Sequence, residues 1–228
     1  MKRFVEEELL DLDTGTPREV QASLDDLRNI NRILGGNTLH KHLFAQAAAG
    51  TSGPLRVLEV AAGRADVLQA ALLPLQKQGR ALTISLLDVR PDHLPRPEHW
   101  NPSLPKPELF AGNALHLPFA DDSFDILSCS LFLHHLEPEQ IQQFLKEAFR
   151  VTRTAVVVND PERRRANWLF AKLGFLVFRS RITSYDALVS IRRAYTLQEM
   201  RSVLEKSGYR FQLRRYPLFR LGAIVWKH

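Results

Sequence analysis

Apolar positions along the chain follow two rhythms. Val20, Leu24, Leu27, Ile30, Ile33 and Leu34 recur at helical spacing behind Thr16-Pro17-Arg18-Glu19, which reads as a capping box with proline at the first helical position. An amphipathic helix is predicted, ending at Gly35-Gly36. Thr38 is placed to cap a second helix running to Ala49, before a Gly/Pro break over residues 50–54. Residues 1–53 therefore read as a helical cover that precedes a second unit, residues 54–228.

From Leu55 the rhythm changes. A short apolar run over 55–60, a helical stretch to about Gln78 and a second apolar run over 81–87 give strand, helix, strand, the unit of a parallel sheet. The alternation continues with short runs at 109–111, 124–130 and 155–158 and a helical pattern over 137–151. Unbroken apolar runs of this kind are what buried parallel strands produce. The proline-rich stretch 91–107 has no helical period and is expected to be a surface loop. Helical patterns over 167–178 and 197–207 and strands over 209–215 and 218–225 complete a doubly wound α/β reading.

Composition narrows the class. With 228 residues, 45% hydrophobic and 25% charged, the chain can bury a core without disulfides or metals, and it is neither fibrous nor disordered. Its longest stretch without Asp, Glu, Lys or Arg, residues 42–55, falls short of the roughly 20 residues a membrane helix needs. Glu6, Glu7 and Glu8 stand where a signal peptide would be apolar, and Cys129 is alone. A cytoplasmic protein without a disulfide framework, a multi-cysteine zinc site or any other metal site is expected. Charge is unevenly spread: residues 1–149 carry 14 basic and 20 acidic side chains, residues 150–228 carry 17 and 5. A basic final third can meet nucleic acid, an anionic surface or an anionic small molecule.

In open α/β sheets ligands bind beyond the carboxyl ends of the strands, so the residues there form one candidate set. The first strand leads into Glu59-Val60-Ala61-Ala62-Gly63-Arg64-Ala65, a small-residue turn that lets backbone approach a ligand. The second ends at Asp88, where an acidic side chain can accept hydrogen bonds from a ribose diol. The third leads into Gly112-Asn113-Ala114-Leu115-His116-Leu117-Pro118-Phe119 and then Asp121-Asp122-Ser123-Phe124-Asp125, and the fourth into Ser130-Leu131-Phe132-Leu133-His134-His135.

These segments, within residues 55–158, resemble class I S-adenosylmethionine-dependent methyltransferases, including the ubiquinone/menaquinone C-methyltransferases, with Asn113 where their signature has Asp and with Ala61 and Ala65 where their turn usually has Gly. The resemblance implies a Rossmann-like seven-strand sheet, mostly parallel with the last strand antiparallel. It also implies a cofactor site: Glu59, Ala61 and Gly63 at the methionine end, Asp88 on the ribose, Val89 under the adenine ring, Asn113 and Ala114 at the adenine edge, and Ser130 at the fourth strand end. Arg28 to Gly36, Asn159-Asp160-Pro161 and the segments around Ser184-Tyr185-Asp186 and Ser190 to Thr196 look like bacterial methyltransferases found beside type III polyketide synthases. That likeness implies a small, rather apolar phenolic or polyketide-like acceptor, methylated on oxygen or carbon.

Such an acceptor loses a proton, and histidine offers a base near neutral pKa. His134 and His135 are the first candidates, with Asp160 and Tyr185 behind them. Tyr185, Arg192, Arg193 and Tyr195 are candidate acceptor contacts, and Trp168, Phe170, Phe175 and Phe178 can make the pocket apolar. A helical insertion of about residues 163–196 would act with the N-terminal helices as a lid. Two other readings stay open, an RNA methyltransferase using the basic final third and a non-catalytic binding module that has kept the fold.

Overall fold

The computed structural model describes residues 1–12, 14–174 and 178–227. Helices α1 (Pro17–Ile33) and α2 (Gly36–Ala48) precede β1 (Leu55–Val60), α3 (Asp66–Lys77), β2 (Leu82–Asp88), β3 (Glu108–Ala111), β4 (Phe124–Ser130), α4 (Pro138–Val151) and β5 (Thr152–Pro161). Helices α5 (Arg165–Gly174), α6 (Arg181–Arg193) and α7 (Leu197–Lys206) follow, and the chain closes with β6 (Arg210–Tyr216) and β7 (Arg220–Trp226). The seven strands form one sheet in the order β3-β2-β1-β4-β5-β7-β6. β1 to β5 pair in parallel, and β7 runs antiparallel to both β5 and β6. This is the Rossmann-like α/β architecture expected from the sequence.

Strand alternation explains why both faces are apolar. In β1, Leu58 and Val60 point to the face covered by α4 and α7, while Leu55 and Val57 point to the face covered by α2 and α3. The same split sends Leu127 and Cys129 one way from β4 and Ile126 the other. Each face thus buries one contiguous cluster. Gly222 of β7 lets α2 settle on the sheet, because a Cβ there would lie 2.8 Å from Leu43 Cδ1 and 2.9 Å from Leu39 Cδ1.

Several expectations shift. The capping box at Thr16 and Glu19 forms, but α2 starts at Gly36 behind Gly35 in a left-handed conformation (φ 73°), not behind Thr38. Residues 91–107 do loop, yet they bury His93, Leu94 and Leu104 around two short 3-10 turns. The helical pattern over 167–178 is realised as α5, and the expectation at Phe175 lies outside the described residues. Helix α6 falls within the insertion of about residues 163–196 expected to be helical, though the sequence marks no period for it. It buries Thr183 and Asp186 along with Ile182 and Val189, so its buried face does not read as apolar.

Sheet order reverses between β1 and β4, and a cleft opens at the carboxyl ends of these strands. α1 packs against α6 beside this opening.

Candidate active site

Three residues of the turn after β1 sit in the left-handed region: Ala61 (φ 50°), Gly63 (φ 46°) and Ala65 (φ 53°). The turn therefore takes the backbone shape that glycine favours, with alanine at two positions. Ala62 N–H donates to Leu87 O at 3.2 Å and Ala65 N–H to Ala62 O at 2.7 Å, which fixes the turn against β2. Its outcome is the placement of Gly63, whose N–H donates to Asp88 Oδ2 at 2.8 Å. Arg90 N–H donates to the other oxygen at 2.8 Å, so Asp88 is held rigidly at the strand end.

Beneath the turn Glu59 is buried, with the Ser128 hydroxyl donating to it. Burial pushes its carboxyl up to about 8, against the opposing pull of Ser128, because a lone carboxylate is costly to strip of water. A cavity of about 350 Å³ opens over these groups, lined also by Ala61, Val89, Ser130, His134 and His135. Its chemistry fits S-adenosylmethionine: a clamped carboxylate for a diol, a buried carboxyl for an ammonium group, and an exposed apolar side chain, Val89, for a ring.

The β4 end builds the opposite wall. Leu131 takes φ 56° and leads into a 3-10 turn over Leu133–His135. Asp160, at the end of β5, accepts from Phe132 N–H at 2.9 Å and lies 3.1 Å from His134 Nδ1 through the same oxygen. On its other side His134 Nε2 lies 3.3 Å from Glu8 Oε1. Burial alone would lower this imidazole, but the charges and hydrogen bonds of Asp160 and Glu8 outweigh it and hold it near 9. Glu8, despite its own burial, is drawn down to about 2 by His134 and His135.

The N-terminal segment that carries Glu8 is fastened along its length. Arg3 pairs with Glu137 at 2.8 Å and lies 4.5 Å from the centre of the Tyr195 ring. Leu9 and Leu10 N–H donate to the two oxygens of Asp186 at 2.7 and 3.1 Å, and Ser190 Oγ donates to Glu8 at 2.6 Å. Burial pushes Asp186 up to about 7, with Glu8 adding to the rise and the two N–H groups opposing it.

A second, larger cavity of about 530 Å³ adjoins the first and shares Glu8, Leu10, Leu27, Leu131 and Ser190 with it. Its walls are mostly apolar, from Ile30, Ile33, Phe170, Phe178 and Phe219. Arg220 is the buried cation among them. Its Nη2 donates to Asn31 at 2.9 Å, while Nη1 has no hydrogen-bond partner among the described residues. Burial pulls this guanidinium down to about 10 against the influence of Asp160.

The structure thus brings together Glu59, Ala61, Gly63, Asp88, Val89, Ser130, His134 and His135 around the first cavity. Asn113 and Ala114 do not line it. Asn113 turns its carbonyl oxygen to Leu115 N–H at 2.9 Å, and Ala114 is buried in the core. Asp160 stands behind His134 rather than in the cavity.

Four expected acceptor contacts are also placed elsewhere, because that side of α6 and the residues after it face the N-terminal segment. Tyr185 donates to Glu6 at 2.5 Å on the exposed side, Arg192 lies 4.2 Å from the Phe4 ring, and Arg193 donates to His135 O at 2.7 Å. Tyr195 is buried, with its hydroxyl donating to Leu136 O at 2.6 Å. His134 stands between two carboxylates, Asp160 and Glu8, which raise its imidazole. His135, partly exposed, lies beside Glu8 and Asp11 on the same wall. Glu8, Asp11, Asp186, Ser190 and Arg220 had no site role in the sequence. The acidic run Glu6-Glu7-Glu8 was a visible signal, but nothing local ties it to residues 134 and 190.

Residues 58–158 match the family described as Methyltransferase domain. Comparison with curated proteins by sequence returns no match. Among solved structures, a SAM-dependent methyltransferase from Aquifex aeolicus shares 17% identity over 89% of this chain and 96% of its own, with a TM-score of 0.61. The plantazolicin methyltransferase BamL, solved with a triazolic desmethylPZN analog and SAH, shares 13% over 92% and 91%, with a TM-score of 0.66. BpumL, solved with SAH, shares 12% over 97% and 94% at the same score. These likenesses are of fold. The family match runs from β1 to β5, less than half of the chain. No helix among the described residues is long and apolar enough to cross a membrane.

Proposed function

We propose that the protein transfers the methyl group of S-adenosylmethionine to a small, mostly apolar acceptor of phenolic or polyketide-like character, on oxygen or carbon. The observation that carries this reading is the apolar cavity joined to the cofactor cavity through Glu8, Leu131 and Ser190. The joined cavities would hold donor and acceptor side by side. Arg220, buried with Nη1 unpartnered, supplies one polar anchor of the kind that binds a phenolate, enolate or carboxylate oxygen.

Bound donor supplies an electrophilic methyl, so the protein's work is alignment and exclusion of water. Glu59, Gly63 and Asp88 would fix the donor, with Val89 under its ring. Helices α5 and α6, within the proposed lid of residues 163–196, and α1 from the proposed cover of residues 1–53 would close over the acceptor. The acceptor oxygen would face the polar corner of Glu8, His134 and His135. Asp160 acts there as a positioning residue for His134.

A small-molecule acceptor is favoured over RNA by the mostly apolar walls of the second cavity. Arg163 is buried and donates to Ala194 O at 2.7 Å, and Arg215 is bonded to Glu162 at 2.7 Å. Other cations of the basic third, such as Arg153, Arg201, Arg210 and Arg214, stay exposed to solvent. Calorimetric titration with S-adenosylmethionine and S-adenosylhomocysteine tests the donor half, and a screen of phenols and pyrones for a mass gain of one methyl group tests the acceptor half. Absence of binding by either compound would leave the non-catalytic reading in possession.

A further inference from the structure

We propose that Glu8, His134 and His135 form a binding site for a divalent transition-metal ion at the junction of the two cavities. Glu8 Oε1 lies 3.3 Å from His134 Nε2 and 3.8 Å from His135 Nε2, and the three ligand atoms all lie within 4.8 Å of one another. Ligand atoms about 2.0–2.1 Å from a tetrahedral zinc ion stand about 3.3 Å apart, so small side-chain adjustments close the set. His134 is 1% exposed, and its Nε2 is aimed at this point, toward Glu8. Among the described residues this is the group of His, Cys, Asp and Glu side chains with metal-holding geometry.

The surroundings are those of a prepared site. Each histidine turns its other ring nitrogen to a carboxylate: His134 Nδ1 is 3.1 Å from Asp160 Oδ1, and His135 Nδ1 is 3.0 Å from Asp11 Oδ2. Such carboxylate partners fix the tautomer and aim the ligating nitrogen. Ser190 Oγ holds Glu8 in place at 2.6 Å. Three carboxylates, Glu8, Asp11 and Asp160, thus face two imidazoles, and a dication at their centre meets an excess of negative charge. The cationic neighbours Arg3 and Arg193 address backbone carbonyls of this turn instead, at 3.1 Å to Leu136 O and 2.7 Å to His135 O.

Two imidazole nitrogens and one carboxylate suit zinc(II), iron(II) or cobalt(II) better than magnesium or calcium. Three protein ligands leave at least one position open, and both cavities border it. An acceptor with a phenol or enol oxygen would occupy that position and be acidified there. This use of the open position rests on the methyltransferase reading; the binding of the metal does not.

The test uses the full chain, stripped with a chelator and dialysed. Zinc(II) is titrated calorimetrically and cobalt(II) by its visible ligand-field bands. One equivalent of zinc and the intense bands of low-symmetry, four- or five-coordinate cobalt are expected. Glu8→Gln and His135→Ala should each weaken zinc at least tenfold, and Asp11→Asn about 10- to 100-fold, as loss of an outer-shell partner does. His134→Ala removes a buried side chain and is not relied on. Zinc binding no tighter to the native chain than to the Glu8→Gln/His135→Ala double variant, or cobalt spectra of the free aqueous ion, overturns the site. S-adenosylhomocysteine is titrated into the same samples: retained binding without metal removes this inference alone, whereas metal binding without S-adenosylhomocysteine binding removes the methyl-donor reading alone.

Discussion

Asp88 and Gly63 are one unit: the Gly63 amide donates to Asp88 Oδ2 at 2.8 Å and so sets the turn after β1 by the strand beside it. Removing the carboxylate leaves the amides of Gly63 and Arg90 without their acceptors as well as removing the proposed ribose contact. Asp88→Ala should weaken S-adenosylhomocysteine at least 100-fold, given that hydrogen bonds to charged groups are worth roughly 1.5–3 kcal/mol each. Calorimetry checks this, and unchanged affinity would sink the ribose assignment.

Glu59 carries a pH dependence with a definite sign. Its carboxyl is raised to about 8 by burial and is mostly neutral at pH 7. A ligand ammonium group beside it would favour the ionised form, so binding expels a proton and affinity rises from pH 6.5 toward 8. For the unliganded chain the linkage runs the other way: a raised carboxyl contributes most below its ordinary value of 4.5, and that contribution fades as pH climbs to about 8. Titration in buffers of differing ionisation enthalpy reads the proton. Affinity that is flat over this range, or the same slope in Glu59→Gln, would refute the pairing.

The left-handed alanines invite a stabilising change. Ala61 and Ala65, at φ 50° and 53°, hold a conformation that costs a residue with a Cβ about 1–2 kcal/mol, while glycine's extra chain entropy takes back roughly half. Ala61→Gly and Ala65→Gly should each add about 0.5–1 kcal/mol to unfolding stability in urea melts. Gly63→Ala should lose a similar amount. A destabilised Ala61→Gly would mean that the methyl group makes contacts worth more than the strain.

Arg220 separates the two ligands. Arg220→Met keeps the volume but removes the unpartnered Nη1 from the acceptor cavity, so KM for a phenolic acceptor should rise about 10-fold or more while donor binding stays intact. Steady-state kinetics with one acceptor found in the screen decides it. An equal loss of donor affinity would show that Arg220 serves the fold through Asn31 instead.

Legibility in the sequence tracks locality. β1 and β4 fall where their largely apolar runs place them, Leu55–Val60 and Phe124–Ser130, because strands buried on both faces read as near-continuous hydrophobic stretches. The donor side of the site is legible for a related reason, since Glu59, Gly63 and Asp88 sit in or beside short segments at strand ends. The period of α6 escapes because Thr183 and Asp186 are buried on polar partners, Ser23 and the amides of Leu9 and Leu10. Tyr185 and Tyr195 stand in suggestive company in the sequence yet point to Glu6 and Leu136 O. Glu8 meets Ser190 from 182 positions away, a pairing no window of residues contains.

The fastening of Glu8 also dictates an order of assembly. Residues 3–10 leave the ribosome well before their partners His134, Glu137, Asp186, Ser190 and Arg193. A nascent chain must keep this segment waiting, with its acidic side chains in water, until α6 has emerged and packed. The cavities therefore gain their outer wall only after most of the polypeptide exists, and an incomplete chain has no closed site in which to bind or spend a methyl donor.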